Sequence, residues 1–173
     1  MSSIAMRFAQ ACFVSLAASA IGAATAGEGT ASAQELSQDQ AAAVRQGVQA
    51  TLDSYRALAA AGQWDALMRL HADDARFRWV ANGTVEARSV EDIRKSFQAL
   101  SPGARVETSY QNTEITPLSP DIAYVATLFQ TRLVDPNGKG FSFGGILTMT
   151  VIKRPDGWKI LNGHSSSPIH QPH

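Results

Sequence analysis

His164 is the side chain in this sequence best suited to chemistry. It stands in G-W-K-I-L-N-G-H-S-S-S-P, residues 157–168, where a strand-like run ends in three serines. An imidazole exchanges protons near neutral pH, so an inward His164 could act as acid or base. Alternation puts Trp158, Ile160, Asn162 and His164 on one face of a regular strand. A bulge at Gly163 would reverse that direction. The competing reading is a hydrogen-bonded histidine at a strand end, with no chemistry. Ser165 points away from His164, and Ser166 lies about 7 Å off along the strand, so neither makes a ready nucleophile–base pair. No G-x-S-x-G elbow occurs in the chain, and serine catalysis is not expected.

Other candidates are sparser. Tyr55 is the one member of an apolar helical stripe that carries a polar group; its hydroxyl either meets a ligand or bonds a neighbour within the core. His71 lies on the apolar side of a second helix, in its last turn, where the helix dipole favours it. Asp73 and Asp74 are adjacent, and adjacent carboxylates rarely converge on one atom; capping, turning or pairing with Arg76 and Arg78 is their expected role. His71-x-Asp73 and His170-x-x-His173 are the close groupings of ligand types. Neither spacing brings three or four ligands to one ion, so no metal is expected. No phosphate loop or dinucleotide fingerprint is present, so no cofactor is expected either.

The elements that must position these residues are legible as patterns. Ser37-Gln38-Asp39-Gln40 has the form of a capping box, followed by Ala41, Val44, Val48, Leu52, Tyr55 and Ala59 at helical spacing and a stop at Gly62. A short second helix is expected over Gln63–His71. Ala75–Val80 alternates Arg76 and Arg78 against Phe77 and Trp79 as a strand, closed by a turn at Asn82-Gly83. Ser89-Val90-Glu91-Asp92 caps a third helix whose face carries Val90, Ile93, Phe97 and Leu100, stopped by Pro102-Gly103. Four strands then follow: Val106–Pro117, Ile122–Val134, Gly140–Arg154 and Trp158 to about Ser166. Their turn-rich joints predict consecutive antiparallel hairpins. Helices first and a meander afterwards predict an α+β domain, with three helices on one face of a curved, mainly antiparallel sheet. The other face is left for solvent or a second subunit.

The first 33 residues read differently. Arg7 is the only charge before Glu28, and the run from Phe8 to Ala26 is apolar and rich in small residues. This is the pattern of a secretory signal peptide, with cleavage sites after Ala26 or, preferred, after Ala33. The expected product is a periplasmic or secreted domain of residues 34–173. Cys12, the one cysteine, would leave with the leader, so no disulfide framework supports the fold. Loss of Arg7 and Glu28 leaves fourteen basic and fourteen acidic residues, alternating in sign. Without a basic stripe, nucleic-acid binding is not expected; after cleavage no membrane partner is expected either.

The stretch Y-R-A-L-A-A-A-G-Q-W-D-A-L-M-R-L-H-A-D-D-A-R-F from Tyr55, with the capped third helix and the W-K-I-L-N-G-H-S-S ending, resembles the nuclear transport factor 2-like superfamily, in its SnoaL-like and ketosteroid-isomerase-like branch. The resemblance spans essentially residues 34–173. It implies a conical α+β barrel, often dimeric, around an apolar pocket. It also implies that Tyr55 matches an oxyanion-hole tyrosine and that the histidine after W-x-I faces the cavity. The isomerase's general-base aspartate would fall at Trp79, and its second carboxylic acid near Thr148–Thr150; neither position is acidic. Steroid isomerisation needs those groups, so it is not expected. The reading that follows is a domain binding a small apolar molecule, with Phe77, Trp79, Phe97, Tyr124, Phe129, Phe143, Trp158 and Asn162 as pocket lining. Cofactor-free acid/base chemistry by His164 and Tyr55 would be its enzymatic form. The alternative is a non-catalytic dimerisation or docking module.

Overall fold

The computed structural model describes residues 35–100 and 102–168; the leader, Cys12, His170 and His173 lie outside the described residues. Helix α1 (Gln38–Ala60) opens on the expected capping box. The Ser37 hydroxyl accepts from the Gln40 amide at 3.2 Å, and the Gln40 side chain accepts from the Ser37 amide at 3.0 Å. The helix stops at Ala61, where Gly62 takes a positive φ of 66° that favours glycine.

Helix α2 (Trp64–Met68) is shorter than its apolar pattern predicts. The chain leaves the helix before His71 because a strand edge claims its backbone. The Ala72 amide donates to the Ile160 carbonyl and the Ile160 amide to the Leu70 carbonyl, both at 2.8 Å. His71 is thus bridged to Ile160 and does not sit in a last helical turn; sheet bonds replace helical ones for the Leu70 carbonyl and the Ala72 amide.

Strands β1 (Arg78–Ala81) and β2 (Thr84–Ala87) form a hairpin through Asn82 and Gly83, both at positive φ, as a tight two-residue turn of this hand requires. β2 was not among the expected strands, because T-V-E-A carries one large apolar residue, Val85, and that one is exposed. Helix α3 (Val90–Gln98) is capped by Ser89 with Asp92 reaching back. The long strands β3 (Arg105–Ser119), β4 (Ile122–Val134), β5 (Gly140–Arg154) and β6 (Gly157–Ser166) fall close to their predicted limits. They pair as consecutive antiparallel neighbours, and β1 joins β6 in parallel, so the sheet runs β2-β1-β6-β5-β4-β3.

The inner face of the sheet carries α1. Val44, Val48 and Leu52 pack on Val125, Met149, Val151 and Ile160. A second cluster joins Leu67, Met68, Phe77 and Ile93 beneath α2 and α3. Each such side chain contributes about 1.5–3 kcal/mol when fully buried. Tyr55 and Trp79 touch both clusters and mark the seam between them. Two bulges set which residues reach it. In β3, Asn112 and Thr113 oppose the single residue Thr127, with Asn112 at φ 51°. In β6, Leu161 is the extra residue between the Ile160–Val151 and Asn162–Thr150 pairs.

Candidate functional site

A cavity of about 400 Å³ opens between α1, α3 and the inner sheet face. Each element contributes by its own periodicity. Tyr55 follows Leu52 down the buried stripe of α1, Phe97 comes from the inner face of α3, and Val106, Thr108 and Tyr110 alternate along β3. Phe129 and Thr131 come from β4, Phe141, Phe143 and Leu147 from β5, Trp79 from β1 and Ser165 from β6. Phe141 and Phe143 are 61% and 43% exposed and stack on each other at 5.9 Å, marking the mouth. Phe143 meets Phe129 edge-on at 6.1 Å, and Phe97 stacks on Trp64 at 4.8 Å.

Among the described residues no charged side chain lines this cavity; its polar groups are the Trp79 indole and the hydroxyls of Tyr55, Ser96, Thr108, Tyr110, Thr131 and Ser165. Thr108 and Thr131 share a hydrogen bond of 2.9 Å. Burial, and then the neighbouring Tyr110, raise the Tyr55 hydroxyl well above its ordinary value. Burial likewise pushes Tyr110 up to about 12, against a smaller opposite pull from Arg56. Both phenols are therefore neutral donors at any working pH. The arrangement can hydrogen-bond a carbonyl or hydroxyl oxygen, and among the described residues it contains no side chain that takes a proton near neutral pH.

Of the residues expected to line a pocket, Tyr55, Trp79, Phe97, Phe129 and Phe143 do so. Phe77 does not; it is fully buried in the cluster below. Trp158 does not either, because its indole lies against Gly47 of α1, where a Cβ would collide with it. Tyr124, Asn162 and His164 are on the opposite face of the sheet, around a shallow depression of about 170 Å³ with Thr148, Thr150 and Arg78. His164 is exposed. The expectation that it faces the cavity fails because of the bulge at Leu161. The extra residue reverses parity, so Gly163 and Ser165 turn inward while Asn162 and His164 turn out. Gly163 then makes room for Trp79, whose ring a Cβ there would strike.

His71 is buried behind Tyr55, its ring edge-on to Tyr55 at 5.6 Å and to Phe77 at 5.8 Å. Burial lowers it to about 4. The carbonyls of Leu67 and Met68 favour the protonated ring, but neither ring nitrogen attains hydrogen-bond geometry with a protein group. Asp74 pairs with Arg76 at 2.7 Å and with Arg154 at 2.8 Å, and the bonds from Arg76 hold its carboxyl well below the usual range. Among the described residues, no group of three or more His, Cys, Asp or Glu is placed to hold a metal ion.

Sequence reasoning missed Tyr110, Thr108, Thr131, Phe141 and Ser165. A signal for the first two was present: Val106 and Tyr110 share one parity, Ile115 and Pro117 the other, and all belong inside only if β3 carries a bulge between them.

Comparison with known proteins agrees with this architecture. A protein from Xanthomonas campestris, described as a candidate calcium/calmodulin-dependent protein kinase II association domain, is 25% identical. The match covers 72% of this chain and 87% of that one, with a TM-score of 0.61. A candidate scytalone dehydratase from Novosphingobium aromaticivorans is 13% identical over 77% of this chain and 89% of its own, with a TM-score of 0.69. A nuclear transport factor 2-like superfamily protein from Salmonella enterica is 17% identical over 76% and 95%, with a TM-score of 0.63. No curated protein matches the chain. The model of the SnoaL-like domain family matches residues 48–170, a span that runs from the buried stripe of α1 through β6 and takes in every cavity-lining element; the chain belongs to the SnoaL-like domain family.

Proposed function

We propose that this protein binds a small, largely apolar aromatic molecule in the cavity between α1, α3 and the sheet. The observation that carries the reading is the lining: aromatic and aliphatic walls, hydroxyl donors at fixed points and no charge. A concave apolar site with a few placed polar groups is the usual form of a small-molecule pocket. The open clefts elsewhere are larger, about 700 and 570 Å³, but both are lined by charged surface side chains and lack this apolar character. Binding is better supported than catalysis. With His164 outside, the cavity offers donors for an oxygen atom but no base. The leader-like start of the sequence supports a periplasmic or secreted setting for the bound protein.

The test is thermal denaturation of residues 34–173 with a panel of neutral phenols, aromatic ketones and polyketide-like compounds. A ligand at a hundred times its dissociation constant adds about 2.7 kcal/mol, or several degrees in a domain of this size. A saturable shift weakened by Tyr55→Phe is the expected result. A panel without shifts overturns the reading.

A second reading concerns the outer sheet face, which we propose pairs with another copy of the chain. There Leu128 and Ile146 are direct cross-strand partners, 42% and 53% exposed, and Tyr124 lies nearby at 41%. Exposed apolar residues gathered on one face mark an interaction surface. The Xanthomonas protein's description as an association domain supports the same reading.

A further inference from the structure

The cavity has a neighbour. At the seam between α1 and β3, Thr108 lines both the apolar cavity and an open polar cleft on the other side. Arg56, the residue after the cavity's Tyr55, lines that cleft. Its Nε is buried without a hydrogen-bond partner, an unusual state for a guanidinium donor and one that costs stability unless an acceptor arrives. Its guanidinium is close enough to Tyr110, on the cavity wall, to lower that hydroxyl's proton affinity.

Among the described residues nothing claims this charge firmly. Asp53 meets Arg56 Nη1 at 3.5 Å, with both side chains about half exposed, a contact that solvent screens. The other acid of the cleft, Glu107, is shared between Arg105 at 3.9 Å and Arg132 at 3.8 Å. Resting on the binding reading above, we propose that the occupant is amphipathic: its apolar ring system fills the cavity, and an anionic oxygen head passes Thr108 to reach Arg56. The cavity walls reject charge while the cleft beside them presents Arg56 and Arg132, the latter drawn to Glu107 at 3.8 Å, so the pair selects aromatic acids over their neutral counterparts. A carboxylate or sulfonate at the half-exposed end of the Arg56 side chain makes a charge-assisted bond to its guanidinium.

Two fluorescent probes separate the parts of this proposal, the anionic anilinonaphthalene sulfonate and its neutral analogue phenylnaphthylamine. Both are titrated into the folded domain of residues 34–173, with displacement of one by the other to establish a shared site. The expected result is about tenfold tighter binding of the sulfonate. That preference should shrink between about 20 and 500 mM salt, since exposed charges are screened over that range. Arg56→Gln should abolish the preference and leave phenylnaphthylamine affinity unchanged; Arg56→Lys should keep most of it. Failure of both probes to bind overturns the cavity reading itself. Equal binding of the two, or a preference that follows Arg132→Gln instead of Arg56→Gln, overturns the role of Arg56 and leaves the cavity reading standing. If Arg56→Gln does not fold, the salt dependence in the unsubstituted protein decides: a sulfonate affinity indifferent to salt overturns the proposal.

Discussion

His71 is the residue whose burial has the clearest measurable consequence. Its folded-state value of about 4 lies below the unfolded value of about 6.5. Above that unfolded value both states are neutral and protonation contributes nothing to the difference between them. As the pH falls, the unfolded chain takes up a proton that the folded chain refuses, so stability drops through this window, by about 3 kcal/mol at pH 4, and levels off below it. Urea denaturation of the protein and of His71→Leu at pH 7.5 and 4.5 tests this. The stability gap between the two should change by about 2–3 kcal/mol in favour of the variant at the lower pH; parallel losses would assign the acid sensitivity elsewhere. Gly163 gives a steric counterpart. Gly163→Ala drives a methyl into the Trp79 ring, an overpacking expected to cost about 1–3 kcal/mol and to lower ligand affinity together with melting temperature. Tyr55→Phe, by contrast, removes one cavity hydroxyl without changing the fit of the ring, so ligand affinity should fall while the ligand-free melting temperature stays nearly constant.

At the scale of elements, caps and turns carry the local design. Ser89 accepts the Asp92 amide at 3.2 Å, while Asp92 accepts the Ser89 and Arg88 amides. Ser89→Ala should cost about 1 kcal/mol. Because α3 supplies Phe97 and Ser96 to the cavity, hydrogen exchange in α3 should rise before exchange in β4 does. The capped starts of α1 and α3, the Asn82-Gly83 turn and the four long strands were legible because each rests on chemistry within a few residues. Helix α2 was overestimated because the competing partner of the Leu70–Ala72 backbone is Ile160, ninety residues away in sequence. The Leu161 bulge was missed for a related reason: L-N-G offers the glycine as the natural irregular residue, yet cross-strand packing put the extra residue two positions earlier.

At the scale of the molecule, the sheet separates two surfaces of different character. The inner face encloses the cavity, and the outer face presents Tyr124, Leu128 and Ile146. Four strands spaced about 4.8 Å apart, each ten or more residues long, offer several hundred Å², comparable to the roughly 800 Å² per partner of a standard interface. Leu128→Glu combined with Ile146→Glu should halve the mass measured by light scattering and leave cavity binding intact. An unchanged mass would remove the outer face as the pairing surface.

The sequence alone determined the order of the helices and the long strands, the caps of α1 and α3, the turns, the α+β class and the alternation along each long strand, since all of these follow from backbone propensity and from the period of apolar residues. It also named Tyr55, Trp79, Phe97, Phe129 and Phe143 among the pocket residues; their periods turned these side chains inward, and the pocket itself was what the family resemblance implied. Only the tertiary structure decided which parity of β6 faces the cavity, and with it the exclusion of His164 and the inclusion of Ser165. The physical reason is that a strand's side chains repeat every two residues. One extra residue, accommodated by packing against β5 and by the Trp79 ring over Gly163, therefore exchanges every side chain beyond it between the two faces.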